Sequence, residues 1–182
     1  MMKFLKLLAK LAVLGLVGFM ALIQLPELRY DLSEKTPMVI ASPAELGRQQ
    51  ITRPAFVAVH GRADFANAFT YQRYGLTFTY FTLKPYGLDI VARTHDRVTD
   101  EWTSLDRFLG KMRPFTEQPF SYRIEEIFQE KKGEQIPAGA YFLALDDVPE
   151  LSGWQVGAVI FSMLLWGLLF YLFFLYRGTL FR

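Results

Sequence analysis

The chain has 182 residues, 52% of them hydrophobic, with two histidines and no cysteine. That leaves room for one domain with appendages and excludes a disulfide framework, a thiolate metal site and a cysteine nucleophile. Every Asp and Glu lies between Glu27 and Glu150, and residues 26–153 hold 15 Lys or Arg against 18 Asp or Glu; a mildly acidic middle with dispersed basic residues carries no nucleic-acid footprint.

Lys3, Lys6 and Lys10 precede an unbroken charge-free run over residues 11–25. A helix needs about 20 apolar residues to cross the hydrocarbon core of a bilayer. Residues 4–25 meet that length when Lys6 and Lys10 snorkel to the interface, and Pro26 is expected to end the helix. The segment reads as an uncleaved anchor rather than a cleaved signal peptide, because Gln24-Leu25-Pro26 follows the run in place of a small-x-small cleavage site. Small residues recur along it at Ala9, Ala12, Gly15, Gly18 and Ala21. Of these, Ala12, Gly15 and Gly18 are candidates for close approach by another helix.

The segment between the spans reads as a small α+β domain. Ser42-Pro43-Ala44-Glu45 has the form of a helix start, with Ser42 as cap and Pro43 in the first turn, and Gly47 stops it. Residues 55–61 alternate as a strand, and residues 69–74 suggest another. Residues 76–83 and 88–94 form a hairpin across Lys84-Pro85-Tyr86-Gly87. Residues 99–112 place Trp102, Leu105, Phe108, Leu109 and Met112 at helical spacing. Residues 121–132 repeat the pattern with Ile124, Ile127 and Phe128, acidic residues early, Lys131 and Lys132 late, and Gly133 after. The apolar run 140–145 predicts a central strand, buried on both faces. The expected domain is therefore a small antiparallel sheet or partly open barrel with two inserted amphipathic helices.

The second span, residues 154–176, contains no charge and is bounded by Trp154 on one side and by Tyr176 and Arg177 on the other. Ala158 and Ser162 form a small-xxx-small pair within it. The basic residues outside both spans place the two termini in the cytoplasm and the middle on the far side. The expected organisation is an N-terminal span within 1–26, an extracytoplasmic domain over 27–153, a second span over 154–176 and a cytoplasmic tail over 177–182. The setting is the bacterial inner membrane or an organelle inner membrane.

Chemistry is sparse. His60 and His95 stand at or near strand ends and are the weak candidates for a metal or haem, but no His-x-x-x-His or carboxylate spacing accompanies them. Asp64, Asp89, Asp96 and Asp100 are candidates for a general acid or base, but they fall where turns and helix starts use Asp, and the structural reading is favoured. Ser42 and Ser121 read as helix caps, and Ser104 as an early helix residue; no serine has the Gly-x-Ser-x-Gly context of a hydrolase. No phosphate-loop or dinucleotide pattern is present. Asp146-Asp147, an acidic doublet just outside the membrane, reads as a cation site or, equally, as topology and solubility charge. Aromatic residues concentrate over 65–86 and 115–122, more than a small core needs, and suggest a partner-facing or membrane-facing surface.

Two terminal spans around a β-rich domain, together with the strand-then-Gly-Arg segment 53–62 (Arg-Pro-Ala-Phe-Val-Ala-Val-His-Gly-Arg), resemble the surfeit-locus family of cytochrome-oxidase assembly factors. The resemblance covers the chain in outline. The family's Arg-Gly-Trp element has no counterpart among Trp102, Trp154 and Trp166, so no functional residue transfers. It implies an assembly or accessory role in a respiratory complex. The residues themselves point to a non-enzymatic subunit of a membrane complex, without a cofactor, whose partners are membrane subunits and the bilayer. A membrane-anchored sensor or ligand-binding module is the alternative, and a metal or haem protein the third reading.

Overall fold

The computed structural model describes residues 2–73 and 75–176, with the side chains of Met2, Lys3, Lys131 and Lys132 excepted. Tyr74, the basic flank Arg177 and Arg182, and the expected cytoplasmic tail lie outside the described residues. In chain order the helices and strands are α1 (Met2–Leu22), α2 (Leu25–Asp31), β1 (Met38–Ile40), α3 (Pro43–Arg48), β2 (Ala55–His60), β3 (Arg62–Arg73), β4 (Leu76–Lys84), β5 (Gly87–Thr94), β6 (Arg107–Pro114), α4 (Ser121–Lys132), β7 (Tyr141–Ala144) and α5 (Gly153–Phe170). They form two compact units, one of residues 1–32 and 150–182 and one of residues 33–149.

The first unit is a helical hairpin. Its helical stretches Phe4–Asp31 and Gly153–Leu175 are both long and apolar enough to cross a membrane. Three contacts fix their register. Lys10 Nζ donates to the Phe173 carbonyl at 3.0 Å, Trp166 Nε1 donates to the Leu14 carbonyl at 3.1 Å, and Gln24 Nε2 donates to Ser162 Oγ at 3.4 Å. The two helices are therefore antiparallel. Pro26 does not itself end α1, which stops at Leu22. It sits in the first turn of α2, where a missing backbone N–H costs nothing, and Glu27 and Leu28 line a cavity with Trp154, Gln155, Ala158 and Val159 of α5. Lys10 does not simply reach outward either, since its ammonium meets a carbonyl in the π-helical turn Tyr171–Leu175 that continues α5.

The second unit is built on a seven-stranded sheet in the order β1-β2-β6-β7-β5-β4-β3. It is mixed, where an antiparallel sheet was expected: β1 with β2 and β5 with β7 run parallel. The parallel pairing of β5 arises from β7, which returns after α4 and slots between β6 and β5 instead of adding to an edge. Its central place explains its unbroken apolarity. Phe142 and Leu143 are both fully buried, yet they belong to different cores on opposite faces of the sheet. One face carries Ile40, Val57, Val59, Phe81, Leu83, Ile90, Phe108, Met112 and Leu143. The other carries Phe69, Tyr80, Val91 and Phe142, covered by Ile124 and Phe128 of α4. Hence β5 needs Ile90 and Ala92 for one side and Val91 for the other.

Only Gly61 separates β2 from β3, although β3 lies at the far edge of the sheet. The sheet must bend for the chain to make that connection. A Cβ on Gly61 would stand 2.6 Å from the Lys84 carbonyl oxygen, so the corner admits only glycine. The expected hairpin over residues 76–94 is present as β4 and β5, with Gly87 at φ +57° in the turn.

Residues 99–112 are not a helix. A 3₁₀ turn over Asp100–Ser104 is followed by β6. Within that helical pattern, Phe108 and Met112 lie four apart and also fit period two, in which both face one core and Lys111 the other side. Gly110 weakens a helix there, and β2 and β7 supply pairing on both sides of the strand. The second inserted helix is present as α4. Ser121 is not its cap: Phe120 occupies that position at φ +65° with no side-chain cap bond, while Gly133 ends the helix at φ +67° as expected.

At α3, Ser42 Oγ accepts from the Glu45 amide at 3.3 Å, and the Glu45 carboxylate accepts from the Ala41 amide at 2.7 Å, one residue before the cap. Ser42→Ala should cost about 1 kcal/mol, read as a lowered midpoint in chemical unfolding of the detergent-solubilised chain.

Candidate functional site

The densest polar constellation of the domain lies where β5 and β7 end. Asp146, in the loop after β7, is largely buried at 12% side-chain exposure. Its carboxylate accepts from Thr94 Oγ1 at 2.9 Å, from the His95 amide at 2.7 Å and from His95 Nδ1 at 2.6 Å. The Asp96 amide donates to Thr94 Oγ1 at 3.0 Å, and Asp96 Oδ1 lies 4.0 Å from His95 Nε2. His95, Asp96 and Asp146 thus present ligand atoms within 4.8 Å of one another, the two outer residues exposed. The 2.6 Å contact holds the imidazole against Asp146. Asp147, read from the sequence with Asp146 as a cation site or topology charge, accepts from Lys111 Nζ at 2.7 Å, and Lys111 is 3% exposed in the middle of β6. The acidic doublet therefore ties β7 to both neighbours, β5 through Asp146 and β6 through Asp147.

The structure does not bring His60 and His95 together. His60 ends β2 and pairs in register with Arg107 of β6; β6 and β7 stand between β2 and β5, which puts the two strands about 14 Å apart along the sheet. His60 lines a shallow corner with Gly61, Arg62, Lys84, Pro85 and Asp106. Asp64 pairs with Lys84 at 3.4 Å and accepts the Ala66 amide. Asp100 and Ser104 belong to the 3₁₀ turn.

The small residues of the hairpin divide into two sets. Gly18 faces Trp166, whose Nε1 would lie 3.3 Å from an added Cβ, and Ser162 holds Gln24 while donating to the Ala158 carbonyl at 2.8 Å. Gly18, Ala158 and Ser162 thus serve contacts within the chain. Ala12 and Gly15 are exposed on the hairpin, and a Cβ on Gly15 would meet nothing within 4 Å. The aromatic excess divides too: Phe69, Tyr80, Phe81, Tyr86 and Phe115 are core, whereas Phe120 and Tyr122 are exposed at 42% and 63%.

On the α4 side of the sheet, Arg93 of β5 lies over the rings of Phe78 and Phe142, 4.9 and 5.3 Å from their centroids. It pairs across strands with Tyr80. Burial raises the Tyr80 hydroxyl above its usual 10.0, and the Arg93 charge and hydrogen bond oppose that rise without cancelling it. Burial raises Tyr86 as well, helped by the charge of Glu45. Above pH 10 the unfolded chain releases these phenolic protons while the folded chain retains them, so stability should fall as pH rises past 10. Tyr80→Phe should flatten that decline in unfolding temperatures measured between pH 9 and pH 11. Neither Arg93 nor Lys111 was singled out in the sequence. The signal for Lys111 was a lysine inside an alternating apolar stretch, visible once residues 107–114 are read at period two.

In comparisons with known proteins, no protein-family model, no characterised protein and no solved structure matches this chain.

Proposed function

We propose that this protein is a non-enzymatic accessory or assembly subunit of a membrane complex, anchored by both ends. The observation that carries this reading is the surface of the hairpin. Only 6% of the apolar window in each long helix is buried within the chain, because the two helices meet along one narrow seam around Leu14, Gly18 and Trp166. Lipid solvates such a surface, and helices of a partner complex pack on it where small residues such as Ala12 and Gly15 allow close approach. The antiparallel hairpin supports termini on one side of the membrane and the domain on the other, in the orientation that the terminal basic residues favour. The polar residues at the ends of β5 and β7 serve mainly to join strands, which supports a structural role over a catalytic one. The outline resemblance to surfeit-locus assembly factors supports a respiratory setting.

The test is purification of the tagged, full-length chain from native membranes in mild detergent, with native mass measurement. The reading predicts a stoichiometric complex containing other membrane subunits. A clean monomer or homo-oligomer would overturn it.

A further inference from the structure

We propose that Arg93 is the centre of an oxyanion-binding site on the α4 side of the sheet, taking a phosphate or carboxylate group. This does not depend on the accessory role. Arg93 is half-buried, and no carboxylate among the described residues pairs with it. Its Nε is enclosed and makes no hydrogen bond. A guanidinium partly withdrawn from water without a counter-charge is costly, and arginine in such a place ordinarily answers a carboxylate or phosphate.

The surroundings favour an anion. The rings of Phe78 and Phe142 hold the guanidinium by their faces, an attraction that leaves the N–H edge to donate. On β7, beside Arg93 in register, stands Ala144, which offers it no counter-charge. Ala144 pairs on its other side with Lys111, and the neighbouring Phe142 pairs with Arg113. Three cationic side chains of β5 and β6 thus flank this part of β7. Lys111 is engaged by Asp147, so the site is centred on Arg93. The Tyr80 hydroxyl, across the strand pair, accepts a hydrogen bond from Arg93 and keeps its own proton to donate to an oxyanion beside it. The planar fork of arginine matches the two oxygens of a carboxylate or phosphate.

Calorimetric titration of the full-length protein in neutral detergent tests this, with inorganic phosphate, acetate and a short-chain phosphatidylglycerol in separate arms, at constant ionic strength. One-to-one saturable binding in any arm is expected, and the arm that responds distinguishes a free phosphate, a carboxylate and a lipid headgroup. Arg93→Lys, which keeps the charge but loses the fork, should weaken binding about tenfold or more. Arg93→Gln should abolish it, and His95→Ala should leave it unchanged. Arg93→Lys guards against a glutamine variant that fails to fold. Absence of saturable binding in all three arms would overturn the proposal, as would unchanged affinity in a folded Arg93 variant.

Discussion

Gly110→Ala is expected to unfold the central domain under conditions in which the parent chain is stable. Gly110 lies in β6, and a Cβ there would overlap the Ala144 carbonyl group, with its carbon at 2.8 Å and the Leu145 Cα at 2.9 Å. All of these atoms are backbone, so no side chain can rotate away. The strand would have to leave β7, and β7 is the centre of the sheet. The cost should exceed about 3 kcal/mol, beyond ordinary overpacking. Gly139→Ala is the matched control: nothing lies within 4 Å of its added methyl, and the change should stay within about 0.5 kcal/mol. Circular dichroism melts of the two variants in the same detergent decide the point. Equal melting temperatures would show that β6 and β7 do not approach so closely.

The second large effect concerns the ion pair between Lys111 and Asp147, and it should be asymmetric. The Lys111 side chain is 4% exposed and that of Asp147 32%. Asp147→Ala removes a counter-charge from an ammonium that water reaches poorly, and should cost about 3 kcal/mol. Lys111→Met leaves a carboxylate that water still solvates and places an apolar chain in an apolar site. It should cost well under half as much, and the double variant should resemble Lys111→Met. Urea unfolding of the three variants measures this directly. Equal losses from both single changes would mean that the pair is solvated and that burial of Lys111 carries no weight.

What could be read in advance follows from how local each constraint is. The two long helices were visible because a bilayer demands an apolar run of about 20 residues, and residues 4–25, with Lys6 and Lys10 read as interfacial, and 154–176 have that length without reference to the rest of the chain. The β4–β5 hairpin was visible because Lys84-Pro85-Tyr86-Gly87 encodes the turn within four residues, and the central place of β7 because an apolar run cannot face water on either side. The misreading of β6 has the opposite cause. Phe108 and Met112 lie four apart, a distance that suits one helix face and one strand face equally, and only pairing with β2 and β7 decides between them. The mixed sheet was hidden for the same reason, since the order of strands depends on contacts between distant segments. At the ends of β5 and β7, His95 and Asp146 were each marked, but not as partners. Asp146 lies 51 residues away, and nothing local distinguishes an aspartate that joins two strands from one that faces solvent. Arg93 stood in a segment correctly read as a strand, but its flanking rings come from β4 and β7.

The proposed role requires the domain to lie across the membrane from both termini. The chain has no cysteine, so single cysteines can be placed at will. The decisive measurement is labelling of intact cells with a membrane-impermeant maleimide, using cysteines at the exposed domain positions Asp89 and Glu101 and at the two chain ends. Labelling of the domain positions in intact cells, with the ends reacting only after the membrane is opened, is the predicted result. Equal protection or equal labelling of all four positions would contradict the double anchor and the accessory role built on it.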